Sequence, residues 1–261
     1  MPAPKNQLKD ALLRGEPRFG LWLAMAHPTA AEIAANAGFD WCLIDAEHGP
    51  NDIPGILSQL HALAGGTCEV CVRVPSGDPH FIKQVLDLGV QTLLVPMVET
   101  AEQARNLVRA IRYPTAGIRG VGAAQSRATQ YGKIFDYYAT ADEEICLIVQ
   151  IESRVALNNI EEIAAVDGVN GLFLGPADLA ASLGYLGTPS ASVVTEALED
   201  AAARIVASGK ALGVIAFDPT THKRLREIGA VFLAVGGDVA LFGAVLRSCA
   251  DVAAANFRMC G

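Results

Sequence analysis

The sequence predicts an α/β chain folded as a single (β/α)8 TIM barrel. Three observations carry that prediction. Eight apolar runs, each of about four to seven residues, recur along the whole chain. They are continuous rather than alternating, as strands buried on both faces are. Stretches of helical period separate them, with no composition break to mark a second domain. The 261 residues also match the roughly 250 typical of this barrel, so residues 1–261 are read as one domain.

The elements follow in order. Phe19–Ala24 leads to a helix over Pro28–Ala37, with Thr29 as a candidate cap. Trp41–Asp45 leads to Asn51–Leu63, which opens on Asn-Asp. Glu69–Val74 leads to Asp78–Leu88, where Asp78 before Pro79 supplies an N-cap and a proline at the first helical position. Thr92–Val98 leads to Thr100–Arg112, with Thr100 and Gln103 at capping-box spacing. Cys146–Glu152 leads to Ser153–Ala165. The runs Gly171–Gly175, Ala211–Ala216 and Val231–Val235 precede helices over Ser192–Ser208, Pro219–Ile228 and Val239–Ala255. Gly38, Gly89, Gly209 and Gly229 stand where a left-handed cap is wanted. The connection Pro114–Tyr138 is long, and loops of that length are often lids. A doubly wound open sheet is the alternative, but Leu23-Ala-Met-Ala-His-Pro is not the Gly-rich turn it would carry after its first strand.

Composition narrows the function. At 51% hydrophobic and 18% charged, with positive mean hydropathy, the chain is not disordered. A net charge of −8 without a Lys/Arg run speaks against nucleic acid as a partner. The apolar runs fall far short of the roughly 20 residues of a membrane span. Met1-Pro-Ala-Pro-Lys-Asn lacks an apolar signal core, so the expected location is cytoplasmic. The six cysteines, at 42, 68, 71, 146, 249 and 260, read as buried, reduced thiols acting as small hydrophobes. Cys68-Glu-Val-Cys71 is formally a C-x-x-C, but no second pair has zinc spacing.

In such a barrel catalytic groups emerge from the C-terminal ends of strands. Those positions hold Asp45-Ala-Glu-His48, Arg73, Pro96-Met-Val-Glu99, Gln150-Ile-Glu152, Gly175-Pro-Ala-Asp178 and Gly236-Gly-Asp238. Ionisable groups are costly to bury, so several on one rim point to a site. Asp238 and Glu99 read as helix N-cap or first-turn carboxylates. Glu152 and Asp178 follow neighbouring strands and suit Mg2+ or Mn2+, which accept carboxylates while keeping water and substrate oxygens. Each also suits a helix cap. The helix opening at Pro176 would offer free N–H groups to a carboxylate. Arg73 needs an anion, either a structural carboxylate or a substrate oxygen. His48 is the one histidine that sits with two acidic residues, Asp45 and Glu47, at a strand end, a candidate general base if a carboxylate orients it. None of the six lysines (5, 9, 83, 133, 210, 223) lies at a strand's C-terminal end, which disfavours Schiff-base chemistry.

Together Asp45-Ala-Glu-His-Gly-Pro-Asn-Asp, Val72-Arg-Val, Thr92-Leu-Leu-Val-Pro-Met-Val, Gly117-Ile-Arg-Gly-Val-Gly, Gln150-Ile-Glu and Phe173-Leu-Gly-Pro-Ala-Asp-Leu resemble the HpcH/HpaI aldolase family. The resemblance runs from about Asn6 to the last helix. It implies a TIM barrel that reversibly cleaves 4-hydroxy-2-oxo acids to pyruvate, or a close analogue, and an aldehyde. It implies a divalent metal (Mg2+, Mn2+ or Co2+), no Schiff-base lysine and no organic cofactor. Carried onto this chain, Glu152 and Asp178 are metal ligands. Gln150, the Ala177 N–H and Asp178 hold the pyruvate moiety. Arg73 stabilises the transition state, and His48 is the base, made more basic by Asp87. The partners implied are a small 2-oxo acid, an aldehyde, and copies of the chain itself in a homo-hexamer, a dimer of trimers with the last helix exchanged. Ile215-Ala216 departs from the family pattern, in which a Thr is expected, and bears on aldehyde preference. A coenzyme-A lyase of the same superfamily would bring a basic patch, and none is present. A non-catalytic 2-oxo-acid-binding module would have no need of the intact set His48, Arg73, Glu152 and Asp178.

Overall fold

In the computed structural model, which describes residues 1–258, eight parallel strands close into a barrel in the order β1 to β8. Cys260 lies outside the described residues. The elements run α1 (Gln7–Leu13), β1 (Arg18–Leu23), α2 (Pro28–Ala35), β2 (Trp41–Asp45), α3 (Ile53–Leu63), β3 (Glu69–Arg73), α4 (Pro79–Asp87), β4 (Thr92–Val95), α5 (Ala101–Ile111), α6 (Tyr137–Glu144) and β5 (Cys146–Ile151). They continue as α7 (Arg154–Asn158), α8 (Ile160–Ala164), β6 (Gly171–Leu174), α9 (Pro176–Ser182), α10 (Ser192–Ala207), β7 (Ala211–Ile215), α11 (His222–Ile228), β8 (Ala230–Gly237) and α12 (Asp238–Arg258). All eight apolar runs are strands, and β2 has the predicted bounds.

The predicted caps hold with one exchange. Asp78 accepts from the His80 N–H, and Thr100 and Gln103 form a reciprocal capping box. At α2 the cap is His27, whose Nδ1 accepts from the Thr29 N–H, because Thr29 already lies inside the helix behind Pro28. Gly38, Gly89, Gly209 and Gly229 all take positive φ. The predicted helix over Ser153–Ala165 is two short ones, interrupted at Asn159. Asn159 sends its Nδ2 to the Glu99 carbonyl.

Aromatic rings fill the barrel interior. Trp41 stacks on Phe232 at 4.1 Å between ring centres, and Phe173 meets Phe232 edge-on. Gly20 and Gly213 make room, since a Cβ at either would overlap the Trp41 or the Phe173 ring. Leu8 and Leu12 of α1 join this cluster. Their helix is capped by Asn6, whose Nδ2 reaches the Thr92 hydroxyl. A short helix therefore plugs the N-terminal end of the barrel and leaves the C-terminal rim open.

The long connection after α5 is not a lid over this rim. It runs from the end of a helix to the start of β5, so barrel topology places it at the N-terminal end. There it forms two 3-10 turns and packs through Ala123, Ala128, Ile134 and Tyr137. At the other terminus, α12 leaves the barrel with Val239, Leu241, Phe242, Val245, Leu246, Val252 and Phe257 exposed.

Candidate active site

The centre of the rim is Arg73, the last residue of β3. Strand register sets Asp45 of β2 beside it, and the two side chains form a two-pronged pair: Nε donates to Oδ1 at 2.8 Å and Nη2 to Oδ2 at 2.6 Å. Such fork-to-fork geometry fixes the guanidinium plane. Trp22 of β1 donates its indole N–H to Asp45 Oδ2 at 3.1 Å, and its ring lies 4.9 Å from the Arg73 guanidinium carbon. Burial alone would raise the Asp45 carboxyl, but the hydrogen bond and charge of Arg73 outweigh it and hold the group below the usual carboxylate range. Asp45 thus gives Arg73 a structural carboxylate partner through Nε and Nη2.

Glu47 closes on the other prong. Its Oε2 lies 2.8 Å from Arg73 Nη1 yet is buried without an aligned hydrogen bond. Burial raises this carboxyl, against the opposing charges of Arg73 and His48. His48 is largely exposed, with Nε2 3.9 Å from Glu47 Oε1. Its backbone N–H reaches back to Asp45 Oδ1.

Glu152, just beyond β5, is 3% exposed. Its Oε1 accepts from the Met97 N–H and its Oε2 from Gln150 Nε2, both at 2.7 Å. Gln150 in turn points Oε1 at Arg73 Nη1, at 3.5 Å. A Cβ at Gly175 would meet Glu152 Oε2 at 2.5 Å, so glycine is there for space. Burial pushes the Glu152 carboxyl up to about 7, helped by the charges of Glu47 and Asp178 and opposed by the Met97 N–H and Arg73. Ala177 and Asp178 lie exposed in the first turn of α9. Gly175 gives that helix no side-chain cap.

Other rim positions are structural. Glu99 accepts from the Ser153 hydroxyl at 2.6 Å, while Thr100 does the capping of α5. Asp238 accepts from the Ala24, Met25 and Val239 N–H groups and so ties the end of β8 to the end of β1.

Asp87 is not brought to this rim. It ends α4, and a helix that starts at the C-terminal end of β3 finishes at the opposite face. Its Oδ1 accepts from Arg119 Nη2 at 3.0 Å. Arg119 is fully buried in the long connection, with its guanidinium carbon 4.4 Å from the Tyr113 ring centre.

The chain as a whole is similar to known proteins. Residues 18–244 match the family model described as HpcH/HpaI aldolase/citrate lyase. The chain belongs to that family. It is 54% identical, over 96% of its length and 92% of the relative's, to a hydroxypyruvate/pyruvate aldolase of Deinococcus radiodurans. It is 48% identical to a 4-hydroxy-2-oxo-heptane-1,7-dioate aldolase of Salmonella dublin, covering 97% and 95% of the two chains. The crystal structure of an HpcH/HpaI aldolase/citrate lyase family protein from Burkholderia cenocepacia superposes with a TM-score of 0.91 at 40% identity, covering 95% of this chain and 99% of that one. This HpcH/HpaI chain is an aldolase, a carbon–carbon lyase.

The sequence of this HpcH/HpaI member points to Arg73, Gln150, Glu152 and Asp178, and to Gly175 as a close approach for a ligand, but gives no role to Trp22, Asp45, Glu47 or Met97. Asp45 was within reach, because two strand-terminal residues of opposite charge on neighbouring parallel strands are natural partners. The role of Met97 lies in its backbone and carries no residue-type signal.

Proposed function

We propose that this aldolase is a divalent-metal-dependent enzyme that reversibly cleaves 4-hydroxy-2-oxo acids to pyruvate, or hydroxypyruvate, and an aldehyde. The observation that carries the reading is a charge imbalance. Asp45, Glu47, Glu152 and Asp178 gather at one rim, and its guanidinium, Arg73, is already committed to the first two. Crowded, desolvated carboxylates are stabilised by a cation.

The donors fit such an ion. Among the described residues no cluster of three or more His, Cys, Asp or Glu side chains could hold a metal. The two carboxylates at neighbouring strand ends, Glu152 and Asp178, would hold it and leave the other positions to water and substrate, the habit of Mg2+, Mn2+ and Co2+ rather than of a closed structural zinc. When bound, such an ion supplies Lewis-acid polarisation of the 2-oxo group.

The chain's own residues do the rest. The Ala177 N–H and Gln150 hold the carboxylate end of the 2-oxo acid against the start of α9. His48 takes the proton from the C4 hydroxyl as the C3–C4 bond breaks and the aldehyde forms. The electron pair moves onto the pyruvate enolate, whose oxygen faces the Arg73 guanidinium, fixed in advance by Asp45 and Trp22. In the reverse direction the same base removes a proton from the methyl group of pyruvate. The Asp87 carboxylate, remote from His48 within one chain, would act on it from a second copy. The exposed apolar face of α12 fits the expected hexamer with that helix exchanged between subunits.

The test is pyruvate release from 4-hydroxy-2-oxo acids, read through lactate dehydrogenase, with a synthetic-direction panel of aldehydes offered to pyruvate and to hydroxypyruvate. Cleavage with release of either 2-oxo acid supports the reading. No cleavage by metal-loaded protein refutes it.

A further inference from the structure

The path of β4 beyond its last ladder pair, Val95 with Val149, is unusual. Pro96 has no N–H to give. Met97 takes a left-handed backbone conformation, φ 54°, which a side chain with a Cβ disfavours. Val98 then returns to the ladder by donating to the Gln150 carbonyl at 3.3 Å. The result is a single N–H turned out of the sheet, and it lands on Glu152 Oε1 at 2.7 Å. Packing of the Met97 side chain does not explain the conformation, because that residue is 51% exposed.

Strained backbone persists where the surrounding structure requires it. Here it delivers a donor to a buried carboxylate. Glu152 is then restrained on three sides: by the Met97 N–H on one oxygen, by Gln150 Nε2 on the other, and by the Gly175 backbone packed too closely for a Cβ. Partners of this kind orient a metal ligand and commonly set metal affinity by about 10–100-fold.

We propose that Met97 is a positioning residue whose left-handed backbone aims its N–H at Glu152 and presets that carboxylate for the divalent ion. This rests on the reading of Glu152 as a metal ligand, and the test separates the two.

Full-length protein is stripped with chelator and titrated with Mn2+ by calorimetry at pH 8. Met97→Val places a β-branched residue at positive φ, where it is most disfavoured, and should weaken Mn2+ binding by about 10-fold or more. Met97→Gly permits the same φ without strain and should stay within a few-fold of the parent. Equal affinity of the Val variant and the parent overturns the proposal. So does an equal loss in the Gly and Val variants, which would assign the effect to the side chain. Glu152→Ala tests the underlying reading: if it binds Mn2+ as the parent does, the ligand assignment fails and the proposal with it. Should Met97→Val fail to fold, amide hydrogen exchange in the parent and in Glu152→Ala decides. The Met97 amide should exchange at least 10-fold faster once its acceptor is gone. An unchanged rate overturns the proposal.

Discussion

Replacing Glu152 by glutamine should stabilise the metal-free protein at alkaline pH while destroying its response to metal. The sign follows from burial. Glu152 has its carboxyl raised from 4.5 to about 7 by desolvation, so the folded state holds a proton that the unfolded chain has released. Stability is then highest below the unfolded pKa and is lost as pH rises through the window from about 4.5 to about 7. A rise of that size corresponds to about 3 kcal/mol. Glutamine removes the titration. Its oxygen can still accept from Met97, but its amide then faces the Gln150 amide, a mismatch of about 1 kcal/mol. The net gain at pH 8 is therefore about 2 kcal/mol, roughly a 4–8 °C rise in Tm for a chain of this size.

Thermal unfolding of chelator-treated parent and Glu152→Gln at pH 5 and pH 8, at one protomer concentration, reads this directly. The parent should lose stability between the two pH values and the variant much less. Added Mn2+ should raise the Tm of the parent alone, since a ligand stabilises only the state that binds it. Two proteins with the same pH dependence would refute the account of Glu152 as a destabilised, cation-seeking carboxylate.

The other predictions are smaller in scope. Arg73→Ala removes a preorganised donor and should lower kcat by about 10²–10³, measured as pyruvate release; retention of most activity would remove Arg73 from the mechanism. Exhaustive chelation should abolish turnover and Mg2+, Mn2+ or Co2+ should restore it, whereas full activity in verified metal-free protein would sink the metal reading. Gly175→Ala sets a methyl group 2.5 Å from Glu152 Oε2, so it should weaken metal affinity more than it lowers the Tm. Asp87→Ala should lower kcat in the assembled enzyme, and mixing it with His48→Ala subunits should recover activity if the two groups meet across an interface. No recovery in verified mixed oligomers would place the role of Asp87 within its own subunit.

The barrel was legible because parallel strands buried on both faces must be apolar throughout, and eight such runs leave little choice of architecture. Helix ends were legible where a side chain does the capping, as at Asp78 and Thr100. The two short helices α1 and α6 were not, because each precedes a strand instead of following one and so falls outside the strand-then-helix alternation. The lid reading of the long connection failed on connectivity, which loop length does not encode: a helix-to-strand segment lies at the closed end of its own barrel.

The site divides along the same line. Side chains that touch the rim through their own chemistry, Arg73, Glu152 and Asp178, announce themselves by charge at a strand end. Groups that act by placing others do not. Asp45 looks like one more acid until strand register sets it against Arg73. Trp22 looks like core until its N–H is seen on Asp45. Met97 gives nothing away, since a backbone donor is common to every residue but proline. The 54% and 48% identical relatives are named from different ends of an aldol reaction, one by its 2-oxo acid and one by the adduct. On the rim outside the charge cluster, Ile215 at the end of β7 and Phe217 just beyond it stand exposed, and neither offers a polar group to a substrate.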